Sequence, residues 1–258
     1  MKNFFESLDE IKTRLDGKTL VVFLDYDGTL TPIVATPDLA IISDEMRSVV
    51  KELSKKIKVA IVSGRATDDV KAKAKIDGIF YAGSHGFEIN YPSGEIKINE
   101  EAQAIRPMID EVQQKLAEKV KDIKGALIEN VKYTVSAHYR LVSDEDFPRF
   151  EKEVDDILNQ YPQFRKTSGK KVFEIRPRID WHKGKAVDWI MNIFEKEQQN
   201  ILPVYLGDDT TDEDAFKALK EKGFGILVAI AERDTEAEYI VKNPEEVKKV
   251  LQTFIDLN

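Results

Sequence analysis

Carboxylates, a hydroxyl and one lysine carry the chemistry that can be read from this chain. Asp25-Tyr26-Asp27-Gly28-Thr29 follows the apolar run Thr19–Leu24. Two carboxylates at i and i+2 leave a strand on the same side, and Gly28 permits a sharp turn. Ser63-Gly64-Arg65 follows a second run, Lys58–Val62, and precedes a helix containing Thr67, Asp68 and Asp69. A hydroxyl and free backbone N–H groups at that point suit a phosphate. Gly207-Asp208-Asp209-Thr210-Thr211-Asp212-Glu213 follows a third run at 204–206, so carboxylates arrive from two separate strands. Such a cluster is costly without a cation, and a set of oxygen donors alone favours a hard ion such as Mg2+. A metal also lets an anionic phosphate approach an anionic nucleophile. Lys183, between His182 and Gly184, supplies further positive charge. A calcium loop does not fit: that loop requires a further acidic or amide residue before its glycine, and the twelfth position from Asp25 is Thr36, where it requires Glu.

The elements that must position these residues follow from periodicity. Continuous apolar runs at Thr19–Leu24, Lys58–Val62, 204–206 and 225–230 suit strands buried on both faces. Helical stripes lie between and after them, with Val187, Ile190, Met191 and Phe194 at i, i+3, i+4, i+7, and Ala215, Phe216 and Leu219 before a stop at Gly223. Alternating buried strands and amphipathic helices predict an α/β fold with a mostly parallel sheet. Ligands then bind outside the carboxyl ends of the strands, where the motifs lie. The middle of the chain differs. Ile109, Val112, Leu116 and Val120 predict a helix over 106–121, strands follow at 126–129 and 133–140, a second helix starts at Ser143, and a strand spans 171–176. These elements make an α+β module at 104–178, inserted between core segments 1–103 and 179–258.

Composition narrows the chemistry. The 258 residues contain no cysteine, which excludes disulfides, zinc-cysteine sites, iron-sulfur clusters and a thiol nucleophile. With 39 Lys+Arg against 47 Asp+Glu, the net charge of −8 argues against sequence-independent nucleic-acid binding. The module at 104–178 holds 15 basic and 13 acidic residues, or +2, leaving −10 on the rest. Glu6, Asp9, Glu10 and Asp16 interrupt the start of the chain, unlike a secretory signal. The longest apolar stretch, at 226–231, falls far short of the roughly 20 residues that span a bilayer. The expectation is a cytoplasmic monomer acting on a small molecule, without nucleic acid or membrane.

Taken together, the four motifs resemble those of the haloacid dehalogenase superfamily of phosphatases. The resemblance implies a Rossmann-like parallel-sheet core with an inserted cap. It implies Asp25 as the nucleophile that forms an aspartyl-phosphate, and Asp27 as the acid for the leaving oxygen and then the base for water. It further implies Ser63 on a phosphoryl oxygen, with Gly64 and Arg65 beside it, and Lys183 bridging Asp25 and the phosphate. Mg2+ would be held by Asp25, the backbone carbonyl of Asp27, and Asp208, with Asp209 and Asp212 around it. Ser63 to Lys183 spans 120 residues, against 38 from Asp25 to Ser63, so the insertion falls where this superfamily carries its larger cap.

Further segments resemble the trehalose-6-phosphate phosphatases: DYDGTLTPI at 25–33, GSHG at 83–86, AHYR at 137–140, GKKVFEIRP at 169–177 and GDDTTDEDAF at 207–216. Ser84 and His182 depart from the family pattern. On strands, His138 and Arg140 share a face, as do Lys170, Glu174 and Arg176, giving the module a polar surface. The resemblance carries sugar recognition to Arg140, Lys170 and Glu174, and with them His85 and Arg176. It implies hydrolysis of trehalose 6-phosphate to trehalose and inorganic phosphate. The alternatives are a phosphatase for sucrose phosphate or a glycosyl phosphoglycerate, a phosphomutase, and a silent binding module.

Overall fold

Leu20, Val21, Val22, Phe23 and Leu24 are all fully buried, which a strand achieves only when both faces of its sheet are covered. The computed structural model, which describes residues 1–258, arranges the chain as two compact units, 1–97 with 181–258, and 98–180. In chain order the first unit begins with β1 (Lys2–Asn3), α1 (Leu8–Leu15), β2 (Thr19–Leu24), α2 (Asp44–Lys56), β3 (Lys58–Val62), α3 (Thr67–Ala74), β4 (Phe80–Gly83), β5 (Glu88–Asn90) and β6 (Ile96–Ile98). The second comprises α4 (Glu100–Val120), β7 (Leu127–Asn130), β8 (Val135–His138), α5 (Phe147–Leu158), β9 (Phe164–Gly169) and β10 (Val172–Pro177). The first then resumes with α6 (Lys183–Glu197), β11 (Ile201–Gly207), α7 (Glu213–Leu219), β12 (Phe224–Val228), β13 (Tyr239–Val241) and α8 (Pro244–Leu257). None of the helices is long and apolar enough to cross a membrane.

The nine-stranded sheet runs β1-β13-β12-β11-β2-β3-β4-β5-β6. Its ladders are parallel from β1 to β4, and β5 joins β4 antiparallel. Side chains alternate between two cores. Leu20, Val22, Leu24, Val59 and Ile61 pack with Met46, Val50 and Leu53 of α2 and Val250, Leu251 and Phe254 of α8. Val21, Phe23, Ala60 and Val62 pack with Val187, Ile190 and Phe194 of α6 and Phe216 and Leu219 of α7. The α/β architecture with a mostly parallel sheet is the one the apolar runs predict.

In the second unit an antiparallel sheet in the order β7-β8-β10-β9 packs one face on α4 and α5. Val135, Ala137, Phe173 and Ile175 meet Ile109, Val112 and Leu116 of α4 and Phe150, Val154 and Ile157 of α5. Four details differ from the sequence reading. Helix α4 starts at Glu100, capped by Asn99, whose side chain accepts from Ala102 N, so Pro107 lies inside the helix. Helix α5 starts at Phe147 with Pro148 in its first turn, while Ser143 closes only a turn by accepting from Asp146 N. Strand β9 has no apolar alternation and exists through its hairpin with β10, where Gly169 pairs Val172 across Lys170-Lys171. Strand β12 stops at Val228 and leaves Ile230 fully outside the core, because the pairing with β13 ends at Val241. Over 98–180, moreover, Glu100, Glu101 and Asp180 bring the unit to 15 basic and 16 acidic residues, so it is close to neutral rather than basic.

Candidate active site

Strand β2 ends at Leu24, and the Asp25 amide still donates to Leu206 O across the β2–β11 ladder (2.9 Å), which fixes Asp25 at the carboxyl edge of the sheet. Lys183 opens α6, and its buried Nζ donates to Asp25 Oδ1 (2.7 Å) and Asp212 Oδ1 (2.6 Å). Asp212 Oδ1 also accepts from the Tyr205 hydroxyl (2.7 Å), while its Oδ2 accepts from the amides of Asp208 and Asp209 (3.0 Å each). Asp212 thus closes a capping box with Asp209, whose own carboxylate accepts from Thr210 N. Gly28 has φ +86°, and a Cβ there would lie 2.0 Å from Asp208 Oδ2. Only glycine lets the turn after β2 lie against Asp208.

Carboxylate oxygens of Asp25, Asp208 and Asp212 lie within 4.8 Å of one another, and all three residues are buried. Burial pushes the Asp25 carboxyl well above its ordinary value, against the pull of Lys183, and the charges of Asp212 and Asp208 push the same way. Burial works to lower the Lys183 ammonium, yet Asp212 and Asp25 outweigh it and hold it well above its usual range. One ammonium therefore faces three buried carboxylates, and negative charge is in surplus. Oxygen donors with surplus negative charge fit a hard divalent cation. Asp212 already accepts from four donors, Lys183, Tyr205 and the amides of Asp208 and Asp209.

Asp27 goes elsewhere. The alternation that would keep it beside Asp25 ends with the strand, and the chain turns at Tyr26–Thr29, with Gly28 N donating to Thr31 O. The Asp27 carboxylate accepts two bonds from Arg65, Nε (2.7 Å) and Nη2 (2.8 Å). Arg65 Nη1 donates to Asp69 (2.7 Å), and Nη2 also reaches Pro37 O (2.8 Å). Burial disfavours the guanidinium charge, but Asp27 and Asp69 overcome that and raise it further. Arg65, predicted beside the phosphate, has these donors committed to protein oxygens.

Ser63 is buried at the end of β3, where its Oγ accepts from Arg65 N (3.2 Å). The loop is braced from β4. Ser84 N donates to Arg65 O (2.6 Å) and His85 N to Ser63 O (2.9 Å), with Gly64 between the two carbonyls. Ser84, His85 and Gly86 all have positive φ (49°, 57° and 92°). Two successive non-glycine residues in the left-handed region are strained, by about 1–3 kcal/mol each. That strain is what lets both amides point at the Ser63-Gly64-Arg65 loop.

In the second unit, Glu174 and Arg176 lie on β10, opposite Ser136 with Thr167, and Arg165, respectively. They share the face turned away from α4 and α5, as alternation predicts. His138 ends β8 and its Nε2 lies 3.1 Å from Glu129 Oε2. Arg140 and Lys170 are not on strands. Arg140 follows β8 in a turn and donates to Lys170 O at the tip of the β9–β10 hairpin (2.5 Å). The structure therefore gathers Asp25, Lys183, Asp208 and Asp212, sets Asp27 with Arg65 and Ser63 with Ser84 and His85, and leaves the Asp209 side chain outside the carboxylate group.

Residues 23–245 match the family described as trehalose-phosphatase. The chain belongs to that family. Trehalose-phosphatase relatives in Arabidopsis thaliana include "Probable trehalose-phosphate phosphatase D", 46% identical over 96% of this chain and 70% of that protein. "Trehalose-phosphate phosphatase B" of the same plant is 43% identical over 96% and 69%. Among solved structures, a "trehalose-6-phosphate phosphatase related protein" superposes with TM-score 0.80 at 25% identity, covering 92% of this chain and 97% of that one. The C-terminal domain of C. albicans trehalose-6-phosphate phosphatase shares the fold, with TM-score 0.83 at 22% identity over 100% and 98%. The sequence pattern gave no role to Tyr205, and it named Asp69 only as part of the helix after Arg65 and not as the Arg65 partner it is. Tyr205 could have been found: a phenol inside a fully buried apolar strand needs a partner for its hydroxyl.

Proposed function

We infer that the protein is a Mg2+-dependent trehalose-6-phosphate phosphatase that converts trehalose 6-phosphate and water to trehalose and inorganic phosphate. The observation that carries this reading is the buried Asp25 carboxylate at a parallel-sheet edge, 2.7 Å from Lys183 and grouped with Asp208, in a chain of the trehalose-phosphatase family. Asp25 attacks phosphorus and the bond to the sugar oxygen breaks, while Asp27 gives that oxygen its proton. Asp27 then takes a proton from water, whose oxygen displaces Asp25 from phosphorus and restores the free carboxylate. Lys183 and the Ser63 hydroxyl neutralise and bind phosphoryl oxygens, groups already in place before charge develops. Asp25 and Asp208, with the Asp27 carbonyl, would hold Mg2+, which supplies the positive charge that lets phosphate approach a carboxylate.

For Asp27 to act, its bonds to Arg65 must loosen, so this reading includes a rearrangement of that pair. Arg140, Lys170 and Glu174, with His85 and Arg176, are assigned to the sugar, because charged and amphiprotic groups suit its hydroxyls. The test is phosphate release from a panel of sugar phosphates with and without Mg2+. Release from trehalose 6-phosphate that requires the ion is expected. Release from sucrose phosphate or a glycosyl phosphoglycerate alone would reassign the substrate, and phosphate returned to sugar instead of released would make the protein a mutase.

A further inference from the structure

We propose that Tyr205 is a positioning residue for phosphoryl transfer, its hydroxyl holding Asp212 and thereby setting how Lys183 is shared between Asp212 and Asp25. The proposal rests on the reading of Asp25 and Lys183 given above. Tyr205 is fully buried in β11, between Phe23 of β2 and Gly225 of β12. The space that a side chain at Gly225 would occupy is filled by Phe216, whose ring meets Tyr205 edge-on at 5.6 Å. Packing thus fixes the ring, and a phenylalanine would pack as well. The hydroxyl needs its own explanation, and its partner is Asp212.

Lys183 and Tyr205 donate to the same oxygen of Asp212, at 2.6 and 2.7 Å. The other oxygen is fixed by the amides of Asp208 and Asp209, and Gly207 leaves the room for it, since a Cβ there would lie 2.4 Å from Asp212 Cγ. The carboxylate cannot turn to find another donor. Without the phenol, Asp212 Oδ1 keeps Lys183 as its one partner among these and draws the ammonium harder. That pull competes with Asp25, 2.7 Å away on the other side, and with any phosphoryl oxygen bound there. A bond to a charged group is among the stronger hydrogen bonds in a protein. Its loss at this point lowers stabilisation of the transition state more than of the bound substrate, so it acts on kcat.

The experiment is Tyr205→Phe in the full chain with Mg2+, assayed on trehalose 6-phosphate and titrated with two inhibitors. Orthovanadate mimics the five-coordinate phosphorus, and inorganic phosphate mimics the ground state. Expected are a Tm within a few degrees of the wild type, an unchanged KM, and a kcat lower by about 10- to 100-fold. Vanadate should bind more weakly by a similar factor while phosphate binds as before. An unchanged kcat and vanadate-to-phosphate ratio would overturn the proposal. So would equal weakening of both inhibitors together with a large fall in Tm, which is the mark of a packing role. Failure of the underlying reading shows separately, as a wild-type protein that releases no phosphate.

Discussion

Replacing Lys183 with methionine keeps most of the side chain's volume and removes the one ammonium among Asp25, Asp208 and Asp212. Asp212 retains the Tyr205 hydroxyl and two amides, but Asp25 loses its contact at 2.7 Å. Stripping one partner from a buried ion pair costs about 3–5 kcal/mol, because the remaining charge stays desolvated. For a domain of this size that is a fall in Tm on the order of 10 °C. The measurement is thermal melting in a chelator and again with excess Mg2+. In chelator the variant should melt well below the wild type. With Mg2+ the gap should narrow, since a cation binds a site relieved of its competing ammonium more tightly, and stabilisation grows as the logarithm of concentration over Kd. The double variant Asp25→Asn with Lys183→Met should recover part of the loss, because the orphaned carboxylate is its cause. Equal melting of Lys183→Met and wild type in chelator, or no recovery in the double variant, would refute this account of the cluster.

Other expectations follow from single contacts. Burial pushes the Tyr26 hydroxyl up to about 12. Below pH 10 it is neutral in both folded and unfolded chains; above pH 10 only the unfolded chain ionises it, so stability falls between pH 10 and 12, by up to about 1.4 kcal/mol per unit. Tyr26→Phe should flatten that limb in denaturant melts, and an identical slope would remove Tyr26 as its source. Gly28→Ala forces a methyl into Asp208 at a positive φ and should cost about 1–3 kcal/mol and most of the divalent-cation affinity; unchanged cation binding by calorimetry would contradict the close approach. Asp25→Asn should abolish turnover while substrate still binds, and retained turnover would exclude the carboxylate route. Arg140→Ala and Glu174→Ala should damage trehalose 6-phosphate hydrolysis far more than that of a small aryl phosphate, and equal losses would withdraw their assignment to the sugar.

What was legible in the sequence is whatever local pattern decides. The runs of β2 and β3 have no polar face, so their bounds come out as read. Helix α6 carries the stripe Val187, Ile190, Met191 and Phe194 and begins about one turn before it, at Lys183. Where long-range pairing decides, pattern is silent: β9 is polar along its length and owes its existence to β10. Asn243-Pro244 and the stripe of Val247, Val250, Leu251 and Phe254 announce α8, which lies outside the expectations above although its signals are local. At the site, Asp25 and Asp208 follow β2 and β11, and the strand ends of one sheet gather residues regardless of spacing along the chain, while Lys183 reaches them from the start of α6. Side-chain direction beyond a strand end is another matter. Alternation sets Asp27 beside Asp25 only if the strand continues past Leu24; the strand ends there, and the Asp27 carboxylate rests on the Arg65 fork.

Charge makes the same distinction between pattern and place. The unit 98–180 is nearly balanced, so the surplus of acid belongs almost wholly to the unit that carries the site. Taken as an average, that sign would repel a phosphate. Charges on the surface, however, are screened beyond roughly 8 Å at physiological salt, whereas buried ones are screened much less. On the proposed function, what a phosphoryl group meets at Asp25 is therefore set by Lys183, by the carboxylates beside it and by the Mg2+ they would hold. Part of the acidity would then be the means of binding that ion. In a chain with no thiol, the groups proposed to hold the ion include the proposed nucleophile, and the two roles would meet in Asp25. Its carboxyl is pushed up by burial and by its acidic neighbours, while Lys183 opposes that shift. On the proposed function, holding Lys183 on Asp25 favours the carboxylate anion that would attack, and the donors on the far side of Lys183 would bear on the reaction through that contact.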